Sequence, residues 1–254
     1  MRIIIFFLIV AIFLPIVNAD ATRYPIITIH GHHGSPDDFD DMMEALEEDG
    51  IAEAIEETIY GNSSTRICPI GWPKEITVKF EYYEGVDLDY YEYAERLAKA
   101  SILVKQCTGS SKVNIIAHSV GGLVAREYMR SFGESNVGNV IMLETPHYGM
   151  PFDNEGDDYI RDLNTNPDEC RYRGQMYNIG SKNMFEFLFL WKIRREARHD
   201  VCRNIESIAV PVESSALIGA TNVEGIGCKH SGTGTSIIKP RCEWAYEYVT
   251  EFVS

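Results

Sequence analysis

The segment from Lys112 to Gly133 changes hydrophobic period within six residues. "KVNIIA" (Lys112–Ala117) is a β-rich apolar run, "GGLVAREYMRSFG" (Gly121–Gly133) has helical spacing and a glycine stop, and only "AHSVGG" (Ala117–Gly122) joins them. A strand that runs straight into a helix is one half of a strand-helix-strand unit, and such units repeated along a chain indicate a mainly parallel sheet. Small residues at 117, 121 and 122 permit the close backbone approach that such a corner needs. The corner pushes the Ser119 hydroxyl out at the top of a sheet and sets it at a helix N-terminus, where unpaired N–H groups and the helix dipole favour negative charge.

The rest of the chain follows the same alternation. "YPIITIH" (Tyr24–His30) is a buried strand entering the glycine cluster "GHHG". "SPDDFDDMMEALEEDG" is a helix, with Ser35 as N-cap, acids in its first turn and Gly50 as its stop. "EITVKFEYY" (Glu75–Tyr83) is a second strand, and Asp89–Cys107 places Tyr93, Leu97, Ala100 and Val104 on one helical face. "NVIMLE" (Asn139–Glu144) is the strand after the serine corner, and "CEWAYEYVTEFVS" is a closing helix. The fold class is therefore α/β, a mainly parallel central sheet with helices on both faces, whose ligands bind beyond the carboxyl ends of the strands. Residues 148–205 break the pattern and read as a cap or lid insertion. Within it Met184–Ile193 is unusually apolar, either a cap helix packed on the core or a lid whose apolar side faces an acyl chain or a lipid surface.

The N-terminal "MRIIIFFLIVAIFLPIVNA" has one basic residue, a short apolar run and a small-residue ending. It reads as a signal peptide over 1–19, leaving one domain over 20–254 in a secreted or lumenal setting. In that setting six cysteines (68, 107, 170, 202, 228 and 242) are expected to pair, with sequence neighbours joined as 68–107, 170–202 and 228–242. The lack of a Cys-x-x-Cys pair argues against zinc. A net charge of −15 disfavours nucleic acid and anionic membranes as partners. Asn62-Ser63-Ser64 is a glycosylation acceptor pattern. The acidic stretch Asp153–Asp162 lacks calcium-loop spacing, so neither a metal nor a cofactor is expected.

An alcohol is a weak nucleophile at neutral pH. It needs a base, an acid to orient that base, and donors for the oxyanion. The N–H of Val120, next after the serine, is one donor, and the loop after the first strand supplies the other.

With these elements the chain resembles the α/β-hydrolase lipases. "HGHHG" (His30–Gly34) is similar to their oxyanion loop, "AHSVGGLVAR" (Ala117–Arg126) to their nucleophile elbow, and "ETPHYG" (Glu144–Gly149) to the Thr-Pro-His-x-Gly that follows the next strand. The resemblance implies the α/β-hydrolase fold in a minimal form, Ser119 as nucleophile, His32 N–H as the second oxyanion donor and a structural role for His147. It also implies hydrolysis of carboxylic esters through an acyl-enzyme, on a small-molecule ester or lipid substrate with transient contact at a lipid interface. A thioesterase or lipid-linked deacylase, and a non-catalytic binding protein of the same fold, are the rival readings.

Relatives carry an aspartate after the penultimate strand and a histidine after the last, but no aspartate follows Asp200 here. His230, in "GIGCKHSGTG", is expected to be the base, with His199 behind it. Glu224 is expected to be the acid. Its rivals are Glu144, which replaces the glycine usual at that point and where pancreatic-type lipases place their acid, and Glu213.

Overall fold

The structure, a computed structural model, describes residues 23–61, 72–81, 89–149, 156–165, 175–181, 220–225, 228–230 and 236–254. Seven strands form one sheet: β1 (Ile26–Ile29), β2 (Glu53–Tyr60), β3 (Ile76–Glu81), β4 (Val113–His118), β5 (Val137–Leu143), β6 (Met176–Ser181) and β7 (Thr221–Gly225). Their order is β2-β3-β1-β4-β5-β6-β7, and each neighbouring pair is parallel. The helices are α1 (Asp40–Glu48), α2 (Tyr90–Thr108), α3 (Val120–Tyr128), α4 (Gly156–Thr165) and α5 (Glu243–Val253).

Both faces of the sheet are covered, which explains why β1 and β4 are buried along their whole length instead of alternating with polar residues. Alternate side chains of one strand supply two separate cores. Ile27, Ile29, Ile115, Ala117, Val140 and Met142 pack under α2 and α3 with Leu97, Val104 and Leu123. Ile26, Ile116, Ile141 and Leu143 pack on the other face with Met42 and Leu46 of α1 and Val249 and Val253 of α5. Helix ends follow the local chemistry. Asp89 accepts the Glu92 N–H at 3.0 Å to start α2, and Gly109, at φ 70°, ends it in the left-handed region.

The fold departs from the sequence reading in three places. β2 was not foreseen, and the proposed helix at 35–50 opens with a 3-10 turn over Pro36–Phe39. The stretch 148–205 is also not wholly an insertion, because α4 and β6 continue the alternation and β6 pairs with both β5 and β7. α4 is fastened to the body. Leu163 is fully buried and Tyr159 stacks on Tyr90 with ring centroids 4.1 Å apart. Arg130 of the turn after α3 reaches Asp162 at 2.7 Å. The apolar run 184–193 lies outside the described residues, as do Glu213, His199, Asn62 and the segment 1–22. Among the described residues no helix is long and apolar enough to cross a membrane.

Cys228 and Cys242 form a disulfide, as expected, and Cys107 is also disulfide-bonded. Residues 68, 170 and 202 lie outside the described set.

Candidate active site

Three strand ends converge at the carboxyl edge of the sheet. β4 runs directly into α3, and Ser119 between them has φ 51° and ψ −126°, a conformation that a non-glycine residue adopts at a cost of order 1–3 kcal/mol. The surroundings impose it. A Cβ on Gly121 would come within 2.5 Å of the His30 carbonyl oxygen, and one on Gly122 would overlap the Thr145 side chain, so α3 starts pressed against β1 and against the loop after β5. The Ser119 N–H donates to the Leu143 carbonyl at 2.9 Å, tying the corner to β5.

His230 approaches from the segment after β7. Its Nε2 lies 3.0 Å from Ser119 Oγ and its Nδ1 lies 2.6 Å from Glu144 Oε2. The Glu144 carboxylate accepts, so Nδ1 carries the ring proton. Nε2 is then the bare nitrogen that accepts from the serine hydroxyl. The Glu144 side chain is only 3% exposed, whereas that of His230 is 45% exposed. The imidazole is thus the accessible member of the three.

The carboxylate hydrogen-bonded to His230 is that of Glu144, which the sequence reading ranked behind Glu224. Glu224 lies within β7, in register with Gly180 of β6, only six residues before His230. Glu144 instead follows β5, the strand beside the one that carries the serine. Its φ is 50°, in the left-handed region where glycine is at ease. A carboxylate here accepts backbone strain and gains contact with the imidazole.

The loop after β1 faces the serine from above. A Cβ on Gly31 would be 3.0 Å from Ser119 Cβ, so this backbone lies against the serine. The Gly31 carbonyl accepts from Gly34 N–H at 3.1 Å and from His30 Nδ1 at 2.8 Å. These bonds fix the plane of the peptide whose N–H belongs to His32. The other foreseen donor, Val120, is the first residue of α3, where the backbone N–H has no acceptor within the helix. A cavity of about 510 Å³ joins these groups and is lined by His32, His33, Ser119, His230, Ile238 and Lys239. Among the described residues no group of three His, Cys, Asp or Glu side chains is placed to hold a metal ion.

Two buried histidines frame the site. His147 accepts at Nδ1 from Arg126 Nη1 (3.2 Å) and donates from Nε2 to Asn178 Oδ1 (2.9 Å). Arg126 also donates to Asn164 at 2.7 Å. His147 is therefore part of a buried polar network that joins α3, α4 and β6, in keeping with its expected structural role. His118, which the sequence reading passed over, precedes the serine, and its Nε2–H donates to the His230 carbonyl at 2.8 Å. Burial, helped by the neighbouring His230, pushes its pKa from 6.5 down to about 3.

The shift has a consequence for stability. Below about pH 6.5 the unfolded chain binds a proton at residue 118 that the folded chain refuses until about pH 3. Stability therefore falls as the pH drops through that window, by at most ~1.4 kcal/mol per pH unit from this group. Urea unfolding between pH 7 and pH 4.5 should show a falling midpoint, and His118→Gln, which does not titrate, should fall less. Equal slopes for the two proteins would contradict this.

Comparison with known proteins agrees with this architecture. Residues 20–183 match the family model of the PGAP1-like alpha/beta domain. Triacylglycerol lipases of Pseudarthrobacter phenanthrenivorans and Burkholderia plantarii are each 28% identical over 148 residues, 58% of this chain. The matched stretch spans only 40% and 35% of those two proteins. Among solved structures, Bacillus licheniformis lipase BlEst2 in its mature form superposes with a TM-score of 0.55 at 16% identity, over 94% of this chain and 96% of that one. Phospholipase PlaB from Legionella pneumophila gives a TM-score of 0.57 at 12% identity, over 91% of this chain and 58% of that one. At such identities these structures speak for a shared α/β-hydrolase fold.

Proposed function

The chain belongs to the PGAP1-like alpha/beta domain family, and from that premise we propose that it is a serine hydrolase of carboxylic esters, of the lipase and esterase type. The observation that carries the reading is the hydrogen-bonded line from Ser119 Oγ through His230 to Glu144. His230 Nε2 takes the serine proton as Oγ attacks the ester carbonyl carbon. The N–H groups of Val120 and His32 hold the oxyanion, and the imidazolium returns its proton to the departing alcohol. Water then repeats the sequence on the acyl-serine, releasing the acid and restoring the serine. Glu144 keeps Nδ1 protonated and stabilises the transient imidazolium. The triacylglycerol lipases matched in sequence favour a lipid ester as substrate. The leader-like segment at 1–19 adds the proposal that the protein is exported.

The lack of an aspartate after Asp200 was the argument for a non-catalytic binding protein. It loses its force, because a carboxylate reaches the base from another strand. A fluorophosphonate probe tests the proposal directly. Ser119 of the folded protein should be labelled, and His230→Ala should suppress the labelling. A folded protein that stays unlabelled would overturn the hydrolase reading. Nitrophenyl esters of increasing chain length would then place the enzyme between esterase and lipase.

A further inference from the structure

We infer that His118 is a positioning residue: its Nε2–H, given to the main-chain carbonyl of His230, sets the segment that carries the base. The inference rests on the hydrolase reading for its meaning, though not for its geometry. The bond acts on residue 230 itself and comes from the last residue of β4, a strand hydrogen-bonded on both sides. The segment it grips is also joined to the body just before residue 230. Cys228 is bonded to Cys242, and Ile237 N–H donates to the Lys229 carbonyl at 2.8 Å.

The position of the ring supports more than a packing role. Its centroid lies 4.6 Å from that of His230, and its Nδ1 edge faces Gly31, where an added Cβ would come within 3.0 Å of that nitrogen. One imidazole is thus wedged between the oxyanion loop and the base. A carbonyl can only accept, so Nε2 must hold the ring proton and Nδ1 is bare. The groups near this ring are Ser119, His230 with its partner Glu144, and His30, just after β1, with its partner Glu81. Burial beside these histidines keeps His118 neutral near pH 7, so it donates to the His230 backbone without adding a positive charge against the imidazolium that forms during catalysis. A phenylalanine would fill the same volume but make no bond. A glutamine places an N–H near the same point.

The experiment compares His118→Phe and His118→Gln with the wild-type full chain by three measurements. These are hydrogen exchange of the amides at 228–230, the rate of fluorophosphonate labelling at Ser119, and kcat and KM on a nitrophenyl ester. His118→Phe should lose protection in that segment and lower kcat and labelling rate by up to about 100-fold, the scale of an ångström-sized misplacement, with KM little changed. His118→Gln should recover most of both. Wild-type protection and turnover in a folded His118→Phe would overturn the inference, as would equal losses in the two variants. Should His118→Phe fail to fold, His118→Leu serves as the donor-free side chain, and a loss of protection in His118→Gln alone still counts against the inference. The exchange measurement needs no activity. An inactive, unlabelled wild type would remove the hydrolase reading while the bond from His118 is still tested.

Discussion

Ester turnover should fall by about 10⁶-fold when Ser119 is replaced by alanine, with the fold unchanged. The hydroxyl sits where β4 gives way to α3, held by the Ser119 N–H bond to Leu143 and by the absence of side chains at positions 121 and 122. Alanine keeps that corner and removes only the atom that attacks. His230→Ala should cost nearly as much, and the double variant little more, because nucleophile and base act as one unit. The check is hydrolysis of a short nitrophenyl ester beside circular dichroism of each variant. A folded Ser119→Ala protein that keeps more than about 1% of wild-type kcat would place the nucleophile elsewhere, since the loss expected of a nucleophile is far larger.

Glu144→Gln should lower kcat by about 10⁴-fold, whereas Glu224→Gln should leave it within a few-fold of wild type. The difference lies in the proton on the imidazole. An amide at 144 can turn its N–H₂ toward His230 Nδ1, which then prefers to accept, and the ring proton moves to Nε2. That nitrogen would then present an N–H to Ser119 and could not take the hydroxyl proton. The amide is nearly isosteric, so the 2.6 Å contact can survive while its direction reverses. Turnover of both variants over a range of pH decides the matter. A large loss in Glu224→Gln with little in Glu144→Gln would return the acid to β7.

Much of the fold was legible because the strands that build the core are short apolar runs that stop at glycine or at polar turns. "IITI" and "VNIIAH" could be placed from their composition alone. β2 escaped because it is an edge strand whose sequence, "EAIEETIY", interrupts its apolar residues with three glutamates and has no apolar run to mark it. β6 escaped because it is embedded among turn-forming and acidic residues whose local chemistry outweighs a six-residue strand. At the site, Ser119 was legible because a corner restricts what may surround it, and His230 because a single histidine follows the last strand.

The acid was harder to read, since the order usual in relatives pointed to Glu224 although only six residues separate it from His230, while proximity in space depends on which strands are neighbours. The sequence did hold a signal, a glutamate where glycine is usual. A charged residue that accepts a positive φ needs a compensating contact, and the pairing with His230 provides one. His118 left no comparable mark, because a donor to a distant backbone carbonyl has no pattern along the chain.

The main-chain bonds at the site have a further consequence. Ser119 N–H is held by Leu143 of β5, and Glu144 N–H is held by Ile179 of β6. Ser119 and Glu144 are thus anchored to three adjacent rungs of one lattice, and their separation is inherited from the pitch of the sheet, about 4.8 Å per strand. Changes to the chain beyond Ser181 would leave the spacing of that pair untouched, provided they return the imidazole to the gap between them.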